Sequence, residues 1–150
     1  MERSRILILD DDAALLEALS GTLSLWFSDI TVDTCASVEL ALTRIAWVDY
    51  DVIICEGRLP GMDGATLISQ MKKVRPMTPI IVLTGHGAPC LARQAFEAGA
   101  YDFLFKPIDR HVLLLSVIRA IEAHRFRSRF APEAHRWLSE SSRYRLHPHV

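Results

Sequence analysis

A chain of 150 residues holds one domain's worth of core, and with half its residues apolar and 23% charged it is neither disordered nor low-complexity. Its longest apolar runs are about five residues, far below the roughly 18 that a membrane span needs. The net charge of −1 is unevenly spread: residues 1–118 hold 10 Lys/Arg against 15 Asp/Glu, residues 119–150 hold 7 Arg against 3 Glu, and an acidic body therefore leads into a basic tail.

Charged Glu2, Arg3 and Arg5 run straight into residues 5–10 (RILILD), which argues against a secretory leader and reads as a central parallel strand, apolar on both faces. Residues 13–27 follow with Leu15, Leu16, Leu19, Leu23 and Trp26 at helical spacing. Residues 30–35 (ITVDTC) alternate as an edge strand does. Ser37 is then a good N-cap for a helix through Val48, with Val38, Leu42 and Ile45 on one face. Trp26 and Trp47 are expected to close the core-facing patterns of these two helices.

Residues 51–55 (DVIIC) are the third strand, GRLPGMDG a loop of turn residues, and residues 64–74 the next helix. Pro76 and Pro79 bracket a turn before a strand that ends at Thr84. GHGAP is a loop, with His86 expected near the strand end as a solvated histidine. A helix over residues 88–98 is closed by Gly99, and residues 101–105 make the fifth strand. After Lys106-Pro107 a helix over residues 108–130 is expected to turn Val112, Leu115, Ile118 and Ile121 inward. Pro132 should end it, with one short amphipathic helix beyond, around Trp137, Leu138 and Leu146, and a frayed HPHV end. Five βα units of this length demand right-handed crossovers and a doubly wound parallel α/β sheet. Cys35, Cys55 and Cys90 are odd in number and share no ligand-like spacing. They read as reduced, buried thiols of a cytoplasmic protein.

Open α/β sheets bind ligands outside the carboxyl ends of their strands. Every unusual polar residue falls at such an end: Asp10, Asp11 and Asp12 after the first strand, Glu56 after the third, Thr84 after the fourth, Lys106 after the fifth. Acids at helix N-termini are commonplace through the helix dipole. All the strand ends together are better read as one shallow pocket of four acids, a hydroxyl and an ammonium. Clustered carboxylates need a neutralising cation, and short oxygen ligands suit Mg²⁺. With Lys106 opposite and Thr84 beside it, such a pocket would trap a phosphoryl group.

ILILDDD, DVIICEGRLPGMDG, IVLTGHG and AGAYDFLFKPID resemble, in order and spacing, the receiver domain of bacterial response regulators, over about residues 5–123. They look most like receivers of the nitrogen-regulation and nitrogen-fixation type. The resemblance implies a flavodoxin-like (βα)5 three-layer sandwich of strand order 2-1-3-4-5. It implies a phosphoryl group received from a histidine kinase, and Mg²⁺ held by Asp10 and Asp11 together with the acceptor-position residue, here Glu56. It further implies Thr84, Gly85 and Lys106 as the phosphoryl pocket, Thr84 and Phe103 as switch residues, and a Lys106-Pro107 bond of the kind usually cis.

The family's acceptor is an aspartate, and Glu56 stands in its place. GRLPGMDG pins that position, and neither Asp51, at the start of the strand, nor Asp63, in the loop beyond, can substitute. One added methylene moves the carboxylate outward by about 1.5 Å. Phosphoryl transfer depends on positioning, and such a shift would cost on the order of 100-fold. The same displacement would let Glu56 reach Lys106 and Thr84 directly, mimicking a phosphoryl group in part. The favoured expectation is a phosphorylation-independent receiver biased toward its signalling arrangement; the rival is one held inactive, with Glu56 paired to Lys106. Gly57, where a larger apolar residue is common, is expected to loosen the loop.

Other classes fit less well. ILILDDD also matches the opening of haloacid-dehalogenase-type phosphatases, with Asp10 as nucleophile and Asp12 as acid/base, but only Asp109 follows Lys106 to complete that family's metal site. A flavin-binding loop would be repelled by three aspartates, and no dinucleotide or P-loop motif occurs. Arg125, Arg127, Arg129, Arg136, Arg143 and Arg145 raise a nucleic-acid surface, against which a solvated helix leading to a partner is preferred. Trp137 is a candidate for burial against a partner. The expectation is thus a receiver over residues 1–123 with a basic helical extension over 124–150, acting by binding a histidine kinase or downstream signalling protein and not by turnover. Pairing into a homodimer through residues 88–123 is expected, and no membrane contact.

Overall fold

The computed structural model describes residues 3–85 and 89–145, with residues 89 and 131–145 as backbone alone. His86, the end of the tail and the Trp137 side chain lie outside what is described. Five parallel strands form one sheet: β1 (Ser4–Leu9), β2 (Ile30–Cys35), β3 (Val52–Glu56), β6 (Ile80–Thr84) and β7 (Asp102–Phe105), in the order β2-β1-β3-β6-β7. Between β3 and the next helix, β4 (Arg58–Leu59) and β5 (Met62–Asp63) pair as a two-residue-deep hairpin inside the expected loop. Gly61 turns it with φ +76°, a conformation only glycine adopts freely.

Helices α1 (Ala13–Trp26) and α5 (Arg110–Arg145) cover one face; α2 (Val38–Trp47), α3 (Gly64–Val74) and α4 (Pro89–Ala98) cover the other. Strand alternation divides the core accordingly. Ile6, Ile8, Val52, Ile54, Ile81 and Leu83 face α1 and α5, while Leu7, Leu9, Ile53, Cys55, Ile80 and Val82 face α2, α3 and α4. The central strands are therefore buried on both sides, which is why they read as unbroken apolar runs.

Short polar side chains start the helices. Asp12 accepts from Ala14 N–H and Leu15 N–H, Ser37 from Leu40 N–H, Asp63 from Thr66 N–H, and Asp109 from His111 N–H and Val112 N–H. Gly99, at φ +112°, follows α4 as expected.

Four expectations need correction. The buried stripe of α5 is Leu113, Leu114, Val117, Ala120 and Ile121; Val112, Leu115 and Ile118 are exposed, and only Ile121 was placed correctly. Apolar residues fill so much of 112–118 that periodicity alone does not select the inward set. Trp26 and Trp47, the last residues of α1 and α2, are 51% and 85% exposed and do not close the core. Cys90 is exposed, unlike Cys35 and Cys55. Finally, α5 does not stop before Pro132 but continues as one helix to Arg145, so no separate terminal helix forms. A proline inside a helix forfeits one backbone bond without forbidding continuation. Among the described residues, no helix is long and apolar enough to cross a membrane.

Candidate functional site

The parallel register carries the candidate residues to one edge. Leu9 lies level with Cys35 and Cys55, Glu56 with Leu83, and Thr84 with Phe105. Backbone bonds extend the ladder beyond the strands: Asp10 N–H donates to Cys35 O (3.2 Å), Gly57 N–H to Leu83 O (2.8 Å), and Lys106 N–H to Thr84 O (2.7 Å). Asp10, Glu56, Thr84 and Lys106 thus meet at the carboxyl end of the sheet. The Lys106-Pro107 bond is cis.

Alternation then decides who touches whom. Asp10 and Glu56 continue the parity of Ile8 and Ile54 toward the α1 and α5 face, whereas Thr84 continues that of Val82 toward α3 and α4. Lys106 donates to Asp10 Oδ2 at 3.1 Å and to Glu56 Oε2, so one ammonium bridges both carboxylates. Asp10 and Glu56 are 2% and 7% exposed. Their remaining oxygens are also engaged: Asp10 Oδ1 accepts from Asp12 N–H (2.8 Å) and Glu56 Oε1 from Arg58 N–H (3.1 Å). Burial works against the Lys106 ammonium, but its hydrogen bonds to Glu56 and Asp10 and their charges outweigh that, and its pKa is raised.

Thr84 is isolated from this cluster. Its hydroxyl is buried and has no hydrogen-bond partner among the described residues. Glu56 therefore reaches Lys106 as expected but not Thr84. The hydroxyl borders a small cavity lined by Gly57, Ala65, Val82, Ala95 and Phe103. Gly57 is closely packed and not loose: a Cβ on it would lie 3.2 Å from Val82 Cγ1 and 3.4 Å from Thr84 Cβ. A Cβ on Gly64 would meet Gly57 O at 2.5 Å, so the backbone at residue 57 leaves no room for a side chain at position 64. At Gly85 such an atom would meet nothing within 4 Å among the described residues.

The four acids of the expected pocket do not all converge. Asp11 is exposed, and Asp12 spends its carboxylate on the start of α1. Asp63 likewise caps α3. The Phe103 ring is half-buried and stacks edge-on to Phe105 at 5.2 Å. Its strand is held by Asp102, which accepts from Phe103 N–H (2.8 Å) and from Ser116 Oγ on α5 (2.6 Å). Sequence reasoning missed this Asp102–Ser116 tie, because nothing local marks two polar residues that meet only after α5 docks. It also missed the network at the opposite edge, where Tyr50 donates to Asp33 (2.6 Å) and Arg125 to Ser4 (2.6 Å).

The class is a doubly wound parallel α/β fold with two buried acids and a lysine at the carboxyl edge of its sheet and a hydroxyl on the next strand. Residues 6–118 match the response regulator receiver domain family, and the chain belongs to it. Its order β2-β1-β3-β6-β7 is the 2-1-3-4-5 expected, the hairpin strands aside. The chain is 39% identical over 124 residues to the C4-dicarboxylate transport transcriptional regulatory protein DctD of Pseudomonas aeruginosa, covering 82% of this chain and 26% of that protein. It is 34% identical over 121 residues to the DNA-binding transcriptional regulator NtrC of Salmonella typhimurium, covering 81% and 25%. It spans about a quarter of the length of these curated relatives. Among solved structures it resembles the receiver domain of an HD domain-containing protein from Pseudomonas fluorescens (TM-score 0.80, 31% identity, 86% of this chain and 94% of that one). It also resembles the beryllofluoride-activated NtrC4 receiver domain dimer (TM-score 0.74, 32% identity, 80% and 98%). The phosphatase alternative is thereby set aside.

Receiver domains generally bind Mg²⁺ at this edge. Mg²⁺ keeps several waters and needs only one or two free carboxylates, and the residues present do not offer them in the conformation seen. Asp10 and Glu56 converge on Lys106 instead, with Asp11 apart in solvent.

Proposed function

We propose that this receiver is a phosphorylation-independent, non-enzymatic module of a two-component system that works by contact with other proteins. The observation that carries the reading is the pairing of Glu56 with Lys106 while the Thr84 hydroxyl has no partner among the described residues. In-line phosphoryl transfer needs a nucleophile free to attack and an ammonium free to meet the incoming oxygens. Here each has consumed the other. Because Glu56 leaves Thr84 untouched, it does not imitate a bound phosphoryl group at the switch hydroxyl. On this reading the receiver is held inactive, with Glu56 paired to Lys106, which is the rival expectation and not the favoured one of a receiver biased toward its signalling arrangement.

The partners are a histidine kinase or a downstream signalling protein in the cytoplasm. A homodimer through residues 88–123 uses a face that presents Phe96, Phe105, Leu115 and Ile118 to solvent. The basic extension over residues 124–150 serves as a lever to that partner and not as a nucleic-acid surface.

The test is incubation of the wild-type chain and Glu56→Asp with acetyl phosphate and Mg²⁺, followed by intact-mass measurement. The wild type should keep its mass, and the aspartate variant should gain about 80 Da. A wild-type adduct that borohydride trapping places on Glu56 would refute the reading.

A further inference from the structure

We infer that the Lys106 ammonium occupies the place between Asp10 and Glu56 that a divalent cation would need, so that the receiver carries its own counter-ion and the metal site is masked. The inference rests on the same Glu56–Lys106 pair as the function proposed above, but it concerns cation binding and not phosphoryl transfer.

Mg²⁺ requires near-octahedral oxygen ligands at about 2.0–2.1 Å and gives up its waters reluctantly. The two buried acids here offer it little. One oxygen of each is bonded to Lys106 and the other to a backbone N–H, of Asp12 or Arg58. Releasing either inner oxygen means expelling an ammonium that is tethered on β7's exit and so never leaves the neighbourhood. A tethered competitor acts at an effective concentration of millimolar or more. The Glu56 carboxylate accepts from Lys106 with one oxygen and from Arg58 N–H with the other at once. Asp11, the remaining acid next to this pair, is exposed and adds only a solvated charge.

The experiment is a Mg²⁺ titration of the full chain followed by amide NMR signals of residues 10–12 and 56–58, for wild type and Lys106→Met. Wild type should half-saturate only above about 5 mM, and the variant, with its acids unmasked, at least roughly 10-fold lower. Wild-type half-saturation below about 5 mM overturns the inference whatever the variant does, and this arm decides if the variant fails to fold. Equal affinities of the two folded chains overturn it as well. A wild type that binds Mg²⁺ tightly yet gains no mass from acetyl phosphate sinks this inference alone, whereas a phosphoryl adduct sinks the function proposed above.

Discussion

Replacing Lys106 by Met, alone and with Glu56→Gln, measures how far the acid–ammonium cluster holds this edge together. The single change keeps the volume of the stem and strands two nearly buried carboxylates beside each other. Removing one partner of a fully buried ion pair costs about 3–5 kcal/mol. The Lys106 side chain is 24% exposed, and water therefore replaces part of the loss, leaving about 2–3 kcal/mol. In a chain of this size that lowers Tm by roughly 4–12 °C. Glu56→Gln leaves Lys106 paired with Asp10 and retains an acceptor for Arg58 N–H, so about 1 kcal/mol is expected. In the double variant no second charge is stranded, and the combined loss should fall short of the sum by about 1–2 kcal/mol. Urea unfolding of the four chains near neutral pH reads the coupling directly. Additivity within about 0.5 kcal/mol would refute the argument that the pair is one energetic unit.

Three further outcomes are expected. The Cys55 thiol is pushed up to about 12, by burial first and then by the charges of Glu56 and Asp10, and Tyr50 is pushed up to about 12 by burial and its bond to Asp33. The folded state keeps these protons where the unfolded state sheds them, from 9.0 for the thiol and 10.0 for the phenol, so stability is full below pH 9 and falls above it. Cys55 alone contributes a slope of about 1.4 kcal/mol per pH unit, which Cys55→Ala should remove; denaturant midpoints unchanged up to about pH 10.5 would contradict this. Gly57→Ala should lose about 1 kcal/mol through its contacts with Val82 and Thr84, and a more stable variant would show that the loop has slack. Ellman's reagent should label one thiol rapidly in the native chain, and Cys90→Ser should abolish that phase, since Cys35 and Cys55 are buried.

Much of this protein was legible in its sequence because the physics involved is local or periodic. The five strands are short apolar runs, and Ser37 marks the start of α2 because its side chain accepts from an N–H three residues on. The motif GRLPGMDG places Glu56 at the acceptor position without any fold, and a parallel sheet must gather strand ends at one edge.

What the chain alone left open was which side chains meet across that edge. Asp10, Asp11 and Asp12 are indistinguishable as letters; docking of β1 between β2 and β3 buries the first, exposes the second and turns the third onto α1. Likewise the apolar run 112–118 contains several self-consistent helical stripes, and only packing of α5 on β1 and β3 selects Leu113, Leu114 and Val117. Local preferences set where elements begin and end, but contacts between residues as distant as Asp10 and Lys106 depend on face and register. Those are settled only when the sheet closes and each strand must bury both sides.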